Sequence, residues 1–469
     1  MKILILCASV LVLYFRALRY EQCDDDLSVW KRSNPKSDRK EKDPMPVSFW
    51  HRRYNEYIGS GYYNDTSSHA IAIGLHIAVV VLSYLVFRNF VPDFTAFLAA
   101  FFVALNPINI QSVAGLSGKG YSTTVIFVLL GYLFPPIAAH LWFMSLWAPR
   151  MTQRNSPFSL VPFIAYPGWQ GIALFTALLP AVYQSKIRTP NLTKAVTSDL
   201  ERVSPKKFIL ATKLYGYYFR LCLFPYSMGF LHAKCEGIGL SKKHDEVLYR
   251  LDKDFWIGAV IIFVVISNMI FNWTPGMFGL LWFSCNIVMW LHLISMHMNV
   301  REHFAYTAAP GMMLFLAFFV MGLPYPVNAI AAVIIATAYI VRHWYVMPSK
   351  KNEYWSRLFQ MIEQENSCRV WTTEGKSAWD EWNYISAAEC YTEALKYCPW
   401  DFKANHNLGM MCMALGYVDM AEECFNVARE NLYYTHKEEQ LKAIEYQKII
   451  VEDARKTGSV NRGLLYGVR

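Results

Sequence analysis

Long apolar runs fill the middle of this 469-residue chain and constrain its fold more than any other feature. Each run is long enough to cross the hydrocarbon core of a bilayer, which takes about 20 helical residues. Only 17% of the residues are charged, against roughly 25% in an average soluble domain. A soluble protein of this length would lack the charge to cover its surface. The runs lie near residues 70–87, 94–116, 122–148, 158–183, 255–272, 276–298, 304–323 and 325–346.

A shorter hydrophobic segment opens the chain over residues 1–18, with an apolar stretch from Ile3 to Phe15. It is short for a span and lacks a clear cleavage site, so we interpret it as an uncleaved signal-anchor. The polar loop 19–68 follows it and contains three adjacent aspartates. With Lys2 on the cytosolic side, the positive-inside rule places this acidic loop in the lumen.

The run 207–231 decides the predicted topology of the multi-span region, residues 69–348. Lys213 and Arg220 interrupt this run, and a charge in the middle of a span costs about 2.5–3.5 kcal/mol on insertion scales. We therefore expect an interfacial or re-entrant helix, which gives nine spans and a lumenal C-terminal part. The basic residues Lys234, Lys242 and Lys243 favour a crossing helix instead, with ten spans and a cytosolic C-terminal part.

Residues 349–456 differ from the rest, because charges become frequent and apolar residues become periodic. A small–aromatic–small pattern recurs there after 34 residues. It consists of Ala387, Tyr391 and Ala394, followed by Ala421, Phe425 and Ala428. This period, with small residues at helix contacts, is typical of the tetratricopeptide repeat. The sequence thus predicts an all-α protein: a polytopic transmembrane helical bundle of about 9–11 spans, a short tetratricopeptide-repeat domain and a tail over 457–469.

Basic charge is concentrated in the apolar part of the chain. The residues before Lys350 carry 30 Lys and Arg against 18 Asp and Glu. This balance indicates loops that face anionic lipid or a lipid-phosphate substrate. Nucleic acid is not an expected partner, because the basic residues lie between apolar runs rather than on one face. The ten cysteines show no CxxC pair and no metal-ligand spacing.

Polar groups at the ends of apolar runs are candidates for function, because such groups are expensive inside a membrane. In the acidic loop, Asp25 and Asp26 are either part of a solvated patch, or a general base or metal-organising carboxylate at the lipid interface. His69 and His76 lie seven residues apart, which places both on one helix face.

Two further polar groups follow along the chain. The stretch 106–120 interrupts an apolar run with amides and glycines, and polar backbone of this kind is expected to line a cavity. Its candidate residues are Asn106, Asn109, Gln111 and Lys119. The second group is Glu302, His303 and Tyr306, which an ordinary charged loop would also explain. We expect all these groups to converge on one cavity at the outer membrane face.

In this order, the groups resemble the motifs of the transmembrane and tetratricopeptide repeat-containing protein O-mannosyltransferases. That family belongs to the multi-span glycosyltransferases of the GT-C fold, which use lipid-phosphate sugars. Asp25-Asp26 resembles its aspartate pair, and His69 with His76 its histidine pair. Residues 106–113 and Gly118-Lys119 are similar to its His-Pro-x-His-x-Glu-Ala-Val run and Gly-Arg pair. The run from Glu302 to Tyr306 is similar to its Glu-Arg-x-x-Tyr motif, and Trp355 suits its tryptophan after the last span.

The chain departs from the family where the family has charged or basic residues. Its own residues there are Asn106, Asn109, Gln111, Lys119 and His303. An amide keeps its hydrogen bonds but loses charge and basicity, and lysine lacks the bidentate phosphate geometry of arginine. The resemblance therefore leaves two interpretations open: a divergent transferase that relies on Asp25 and Asp26, or a member that has lost catalysis.

The resemblance implies transfer of mannose from dolichyl phosphate mannose to Ser or Thr of lumenal proteins, by a multi-pass protein of the endoplasmic reticulum membrane. Asp25 or Asp26 would be the catalytic base. Lys119, with His303 as the weaker candidate, would neutralise the phosphate. The other substrate-binding residues would be His69, His76, Asn106, Asn109, Gln111, Glu302 and Tyr306.

Beyond the lipid-phosphate sugar donor, the resemblance implies no certain cofactor. It assigns no metal ligand and leaves the need for a divalent metal open. The implied partners are the membrane lipid donor, lumenal acceptor proteins and proteins bound through the repeats. The alternative function, from a different class, is a catalytically inactive membrane scaffold that binds a partner through its repeats. Three glycosylation sequons, at Asn64, Asn191 and Asn272, bear on the compartment.

Overall fold

Every regular element in the described part of the chain is a helix, which confirms the all-α prediction there. The chain packs as two compact units. The first comprises Met1–Phe230, Leu251–His297 and Arg301–Leu358, and Phe359–Arg469 form most of the second. Asp25, Asp26, the run 158–183 and the three sequon asparagines lie outside the described residues. The computed structural model describes residues 1–21, 65–115, 118–134, 205–229, 243, 246, 248–271, 274–291, 301–433 and 437–460.

Ten α-helices belong to the described part of the first unit. They are α1 (Lys2–Tyr14), α2 (Asp65–Phe87), α3 (Asp93–Leu105), α4 (Ile110–Val113), α5 (Lys119–Leu133), α6 (Pro205–Leu223), α7 (Lys253–Phe271), α8 (Pro275–Ile287), α9 (Ala309–Met321) and α10 (Val327–Val346). Short 3-10 turns extend or join them at Phe15–Arg19, Pro107–Asn109, Val288–Trp290, Glu302–Ala305 and Met347–Lys350. Helix α11 (Glu353–Glu363) follows and runs across the boundary between the units.

Two described helices are long and apolar enough to cross a membrane, namely Thr66–Phe87 and Val327–Lys350. Helix α3 and the following Pro107–Val113 form a third candidate, bent by 50° at the break between them. The chain therefore has two or three candidate spans in its described part, and the larger span count stays a prediction. The runs near 276–298 and 304–323 contain helices of only 13 residues, about 20 Å long against a hydrocarbon core of about 30 Å.

The chain is bonded to other parts of the first unit at both ends of the α1 segment. At one end, the ammonium of Lys2 forms an ion pair with Asp93, the first residue of α3. At the other end, the Glu21 N–H donates to the Lys351 carbonyl at 2.9 Å. The start of the acidic loop and the chain leaving α10 therefore lie at the same end of this unit.

Helices α6 and α7 pack at backbone contact. A Cβ atom built on Gly216 would lie 2.0 Å from the Asp254 carbonyl oxygen. One built on Gly258 would lie 2.0 Å from the Thr212 carbonyl oxygen. Small residues at such a crossing allow the close approach that apolar helices use to associate in membranes.

The charges that interrupt α6 are paired with acids at the start of α7. Lys213 Nζ lies 3.2 Å from an Asp252 carboxylate oxygen, and Arg220 Nε lies 2.9 Å from an Asp254 oxygen. From the sequence, we expected these two basic residues to prevent the run 207–231 from crossing the membrane. The two ion pairs lower the free-energy cost of burying Lys213 and Arg220 in a membrane, because an opposite charge offsets the desolvation of each basic group. Whether α6 crosses the membrane stays a prediction.

The described part of the second unit holds five helices after α11, and successive helices pack against each other. One contact between a glycine and an aromatic ring occurs twice, 34 residues apart. A Cβ on Gly375 would lie 2.7 Å from the Tyr391 ring, and one on Gly409 would lie 2.3 Å from the Phe425 ring. The sequence period is therefore also a packing period. The helices are α12 (Cys368–Asp380), α13 (Tyr384–Tyr397), α14 (Phe402–Leu415), α15 (Val418–Glu430) and α16 (Lys437–Thr457).

Replacing Ala421 with leucine is expected to destabilise the second unit by about 1–3 kcal/mol, because it overpacks a filled core. Ala421 is fully buried and belongs to the same apolar cluster as Phe425. Hydrogen exchange of the full-length protein over α14 and α15 measures the loss. The matched control is Met420→Leu, at an exposed position one residue earlier. Equal protection of Ala421→Leu and wild type would argue against a helix contact at Ala421.

Acidification is expected to loosen the contact between α14 and α16. The His406 ring lies 5.6 Å from the Phe402 ring and contacts the Gln447 amide. Burial lowers the pKa of His406 to about 4. In the unfolded state this histidine takes up a proton near pH 6.5. Its contribution to the free energy of unfolding is therefore fully present above that pH. The contribution is lost as the pH falls toward 4, and the loss is about 2 kcal/mol at pH 5.

Hydrogen exchange over α16, corrected for the intrinsic rate, follows this loss between pH 7.5 and pH 5. In the His406→Gln variant the side chain does not titrate, so the pH dependence from this group should disappear. A wild-type protein whose α16 protection does not change over this range would contradict the prediction.

Candidate functional site

Residues from separate apolar runs meet in the first unit through hydrogen bonds. His76 Nδ1, from α2, lies 2.7 Å from the Tyr306 hydroxyl, just before α9. The Gln111 side chain, from α4, accepts a hydrogen bond from the His303 backbone N–H at 3.1 Å. The His303 ring lies 5.3 Å from the ring of Tyr121, in the first turn of α5. Polar groups that the sequence places at three span ends are therefore neighbours.

Two residues that the sequence analysis did not select complete this site. The Tyr14 ring lies edge-on to His76, with ring centroids 5.4 Å apart, and edge-on to His343 at 4.6 Å. We call Tyr14, His76, Tyr306 and His343 the buried polar cluster, since all four side chains are buried. A signal for His343 was present, because an ionisable residue in an apolar run is itself a functional candidate. Tyr14 carried no such signal.

Some polar atoms of the buried polar cluster are unsatisfied. The Tyr14 hydroxyl and His76 Nε2 have no hydrogen-bond partner among the described residues. A buried polar group without a partner costs about 1–3 kcal/mol. Imidazole and phenol groups can both donate and accept hydrogen bonds, and both can transfer protons. The cluster therefore has the chemistry to bind a polar, uncharged ligand group such as a hydroxyl.

The two asparagines of the interrupted run hold the broken backbone together. Asn106 caps the turn by accepting from the Ile108 N–H at 3.0 Å, and its amide nitrogen donates to the Cys222 carbonyl at 2.9 Å. The Asn109 amide nitrogen donates to the Val103 carbonyl at 2.8 Å. The bonds to Ile108 and Val103 satisfy backbone groups at the break, which is the condition for irregular backbone at membrane depth. The bond to Cys222 connects the break to the last turn of α6. The sequence predicts that Asn106 and Asn109 bind substrate, and in the structure both side chains form hydrogen bonds with backbone groups.

The remaining predicted residues are buried in the same unit. His69 is fully buried in α2, two turns before His76. Lys119 opens α5 and is 2% exposed. The Glu302 carboxylate accepts from the Gly229 N–H, in the segment after α6. Glu302 thus has a partner of its own, next to His303 in the chain.

The buried polar cluster lies toward the end of the unit where the acidic loop begins. Tyr14 is the last residue of α1, and His343 is in the last turn of α10. The bond between Glu21 and Lys351 lies beyond both residues along their chains. The catalytic candidates Asp25 and Asp26 themselves lie outside the described residues.

Comparison of the chain with protein-family models, with curated proteins and with solved structures gives no match. Fold and site together define a class: a protein that is all-helical in its described part, with candidate membrane spans and a buried polar site in the same unit. Within the described ranges, no group of three or more His, Cys, Asp or Glu residues is arranged to hold a metal ion.

Proposed function

We propose that this chain is a membrane glycosyltransferase that transfers mannose from dolichyl phosphate mannose to Ser or Thr of lumenal proteins. The observation that carries the proposal is the convergence of His76, Tyr306 and, through Gln111, His303 on one buried site. The first unit would be a GT-C-like bundle that passes through the endoplasmic reticulum membrane several times. The second unit would be a short tetratricopeptide-repeat domain.

The position of the acidic loop supports the proposed catalytic base. The described first part of the loop ends at Glu21, at the end of the unit toward which the buried polar cluster lies. Asp25 is only four positions after Glu21 in the chain, which limits the distance between them to about 14 Å. Asp25 or Asp26 would take the proton of the acceptor hydroxyl, which attacks the anomeric carbon from the face opposite the phosphate. The lipid phosphate leaves, and Lys119 neutralises its charge.

The buried polar cluster would bind the sugar. The Tyr14 hydroxyl and His76 Nε2 are buried polar atoms that a sugar hydroxyl can satisfy. Asn106 and Asn109 serve the backbone at the break. Their lack of basicity therefore removes no proton-transfer group that this mechanism uses.

The proposal is tested with the full-length protein in nanodiscs, given dolichyl phosphate mannose and a Ser/Thr-containing acceptor protein. A general base contributes about 10²–10⁴-fold, so Asp25→Asn or Asp26→Asn should lower the transfer rate by that range without changing thermal stability. The matched control is Glu21→Gln, an exposed carboxylate at the same end of the unit. Transfer that survives both aspartate variants, or no transfer by the wild type, would reject the proposal.

A protein-binding scaffold is the second candidate function, and an exposed apolar edge on the second unit favours it. Four apolar residues are each more than half exposed, two in the turns joining α12 to α13 and α14 to α15 and two in the first turn of the helix that follows: Trp382, Tyr417, Ile385 and Met420. Trp382 has φ 64°, and Gly416, 34 residues later, has φ 89°. A left-handed conformation costs a non-glycine residue roughly 1 kcal/mol. Trp382 therefore exposes its aromatic side chain at a position where its backbone conformation is unfavourable.

The Trp382→Gly variant tests whether a transferase uses this edge, since glycine tolerates this backbone, and the activity of the wild type separates the two functions. If the chain is a transferase that uses this edge to select acceptors, the variant should raise KM for a protein acceptor. It should leave kcat for a short peptide unchanged. If the chain is a scaffold, neither acceptor is mannosylated by any variant.

A further inference from the structure

Helix α11 has its polar and apolar faces reversed relative to a helix of a soluble protein. Three of its large apolar residues, Tyr354, Trp355 and Ile362, are 63%, 40% and 57% exposed, whereas Phe359 is buried. Its polar residues Ser356 and Gln360 are buried. With 3.6 residues per turn, positions 354, 358 and 362 share one face, and 356 and 360 lie opposite. A stripe of large apolar side chains therefore points away from the protein.

The short connection between α10 and α11 determines where this apolar stripe lies. Helix α10, a candidate span, continues through the turn Met347–Lys350, and α11 begins at Glu353. Fewer than ten residues join the last turn of α10 to α11, so α11 starts within about 25 Å of the end of that helix. The end of a span lies at the membrane surface, and α11 has to start near it.

The end of α10 carries the side chains that mark a membrane surface. Trp344 and Tyr345 are 58% and 49% exposed, and tryptophan and tyrosine are enriched where a span meets the headgroups. Lys351, between this pair and α11, is exposed as well. A basic side chain at this level complements lipid phosphate. Exposed aromatic side chains thus occur both at the end of α10 and on the outer face of α11, ten residues apart in the chain.

We propose that α11 lies in the boundary between lipid headgroups and acyl chains, in the membrane that α10 spans. Tyr354, Trp355 and Ile362 insert among the lipids. Amphipathic helices with tryptophan and leucine-like residues on one face bind this boundary in the same way. The partner is a bilayer rather than a protein, because the bilayer surface is necessarily within reach of α11. This inference is independent of the proposed transferase activity.

Photo-crosslinking of the full-length protein in phosphatidylcholine nanodiscs tests the inference. Benzoylphenylalanine replaces Tyr354, Trp355 or Ile362 by stop-codon suppression, and the lipid carries a radiolabel. Each of the three variants should form several-fold more labelled lipid adduct than a variant at the buried Gln360. Benzoylphenylalanine at Ile385, which is exposed in the second unit, controls for exposure alone. A variant at Trp344 is the positive control for lipid contact.

The outcomes separate the possible occupants of this face. Lipid adducts at 354, 355 and 362, with background labelling at 360 and 385, support the inference. A cross-linked dimer of the chain at these positions would show that a second copy covers the face and would overturn it. Labelling at 344 with none at 354, 355 or 362 would overturn it too. Variants at 354 and 355 exchange one aromatic side chain for another on the outer face, so they test the inference without disturbing the core.

Discussion

Gly216→Ala is expected to cost about 3 kcal/mol or more of unfolding free energy, although it adds one methyl group. The new Cβ would lie 2.0 Å from the Asp254 carbonyl oxygen and 2.6 Å from the Gly258 nitrogen. Both are backbone atoms, so no side chain can move aside. Helices α6 and α7 have to separate, which also pulls Arg220 from Asp254. The apparent melting temperature of the full-length protein in detergent, followed by size-exclusion chromatography, should drop sharply.

Gly74→Ala is the matched control for this substitution. Gly74 is an exposed glycine inside α2, and nothing lies within 4 Å of a Cβ built there. Alanine is a better helix former than glycine by about 1 kcal/mol, so this variant should melt at or slightly above the wild-type temperature. Equal melting temperatures of Gly216→Ala and Gly74→Ala would contradict the close packing of α6 on α7.

Asp254→Asn is expected to destabilise the protein by about 3–5 kcal/mol, because it leaves the Arg220 guanidinium buried without its counter-charge. The Arg220 side chain is 14% exposed, and that of Asp254 is fully buried. Replacing both partners, as in Arg220→Met with Asp254→Leu, should recover most of the loss, since well-packed apolar residues replace a buried pair at little cost. A double-mutant cycle of melting temperatures in detergent measures the coupling.

An exposed ion pair supplies the control for this cycle. Arg455 contacts Asp419, whose side chain is 93% exposed. Exposed pairs contribute about 0–1 kcal/mol, so Asp419→Asn should leave the melting temperature nearly unchanged. A double variant that is as unstable as Asp254→Asn would show that the pair does not act as a buried, coupled unit.

Local patterns in the sequence determined the helices. The apolar runs predicted α2, α7 and α10 closely, because hydrophobicity and helix propensity act over neighbouring residues. The break after α3 followed from Asn106-Pro107, since proline cannot continue a helix. The 34-residue period predicted buried alanines at helix contacts, and both Ala387 and Ala421 are fully buried.

Contacts between distant residues were decided by the tertiary structure alone. Lys213 and Arg220 looked like obstacles to burial until their partners Asp252 and Asp254, more than 30 residues away, were known. No local pattern encodes such a pairing, because it depends on which helix packs against which. The same holds for Gly216, whose role appears only beside the backbone of α7.

The candidate site divides in the same way. The sequence by itself determined that four polar residues lie at the ends of apolar runs, where burying each one is costly and indicates a functional site: His76, Gln111, His303 and Tyr306. Only the tertiary structure decided that they meet, and that Tyr14 and His343 join them. The physical reason is that a side chain's cost is local, whereas the partners that offset this cost come from whichever helices pack beside it.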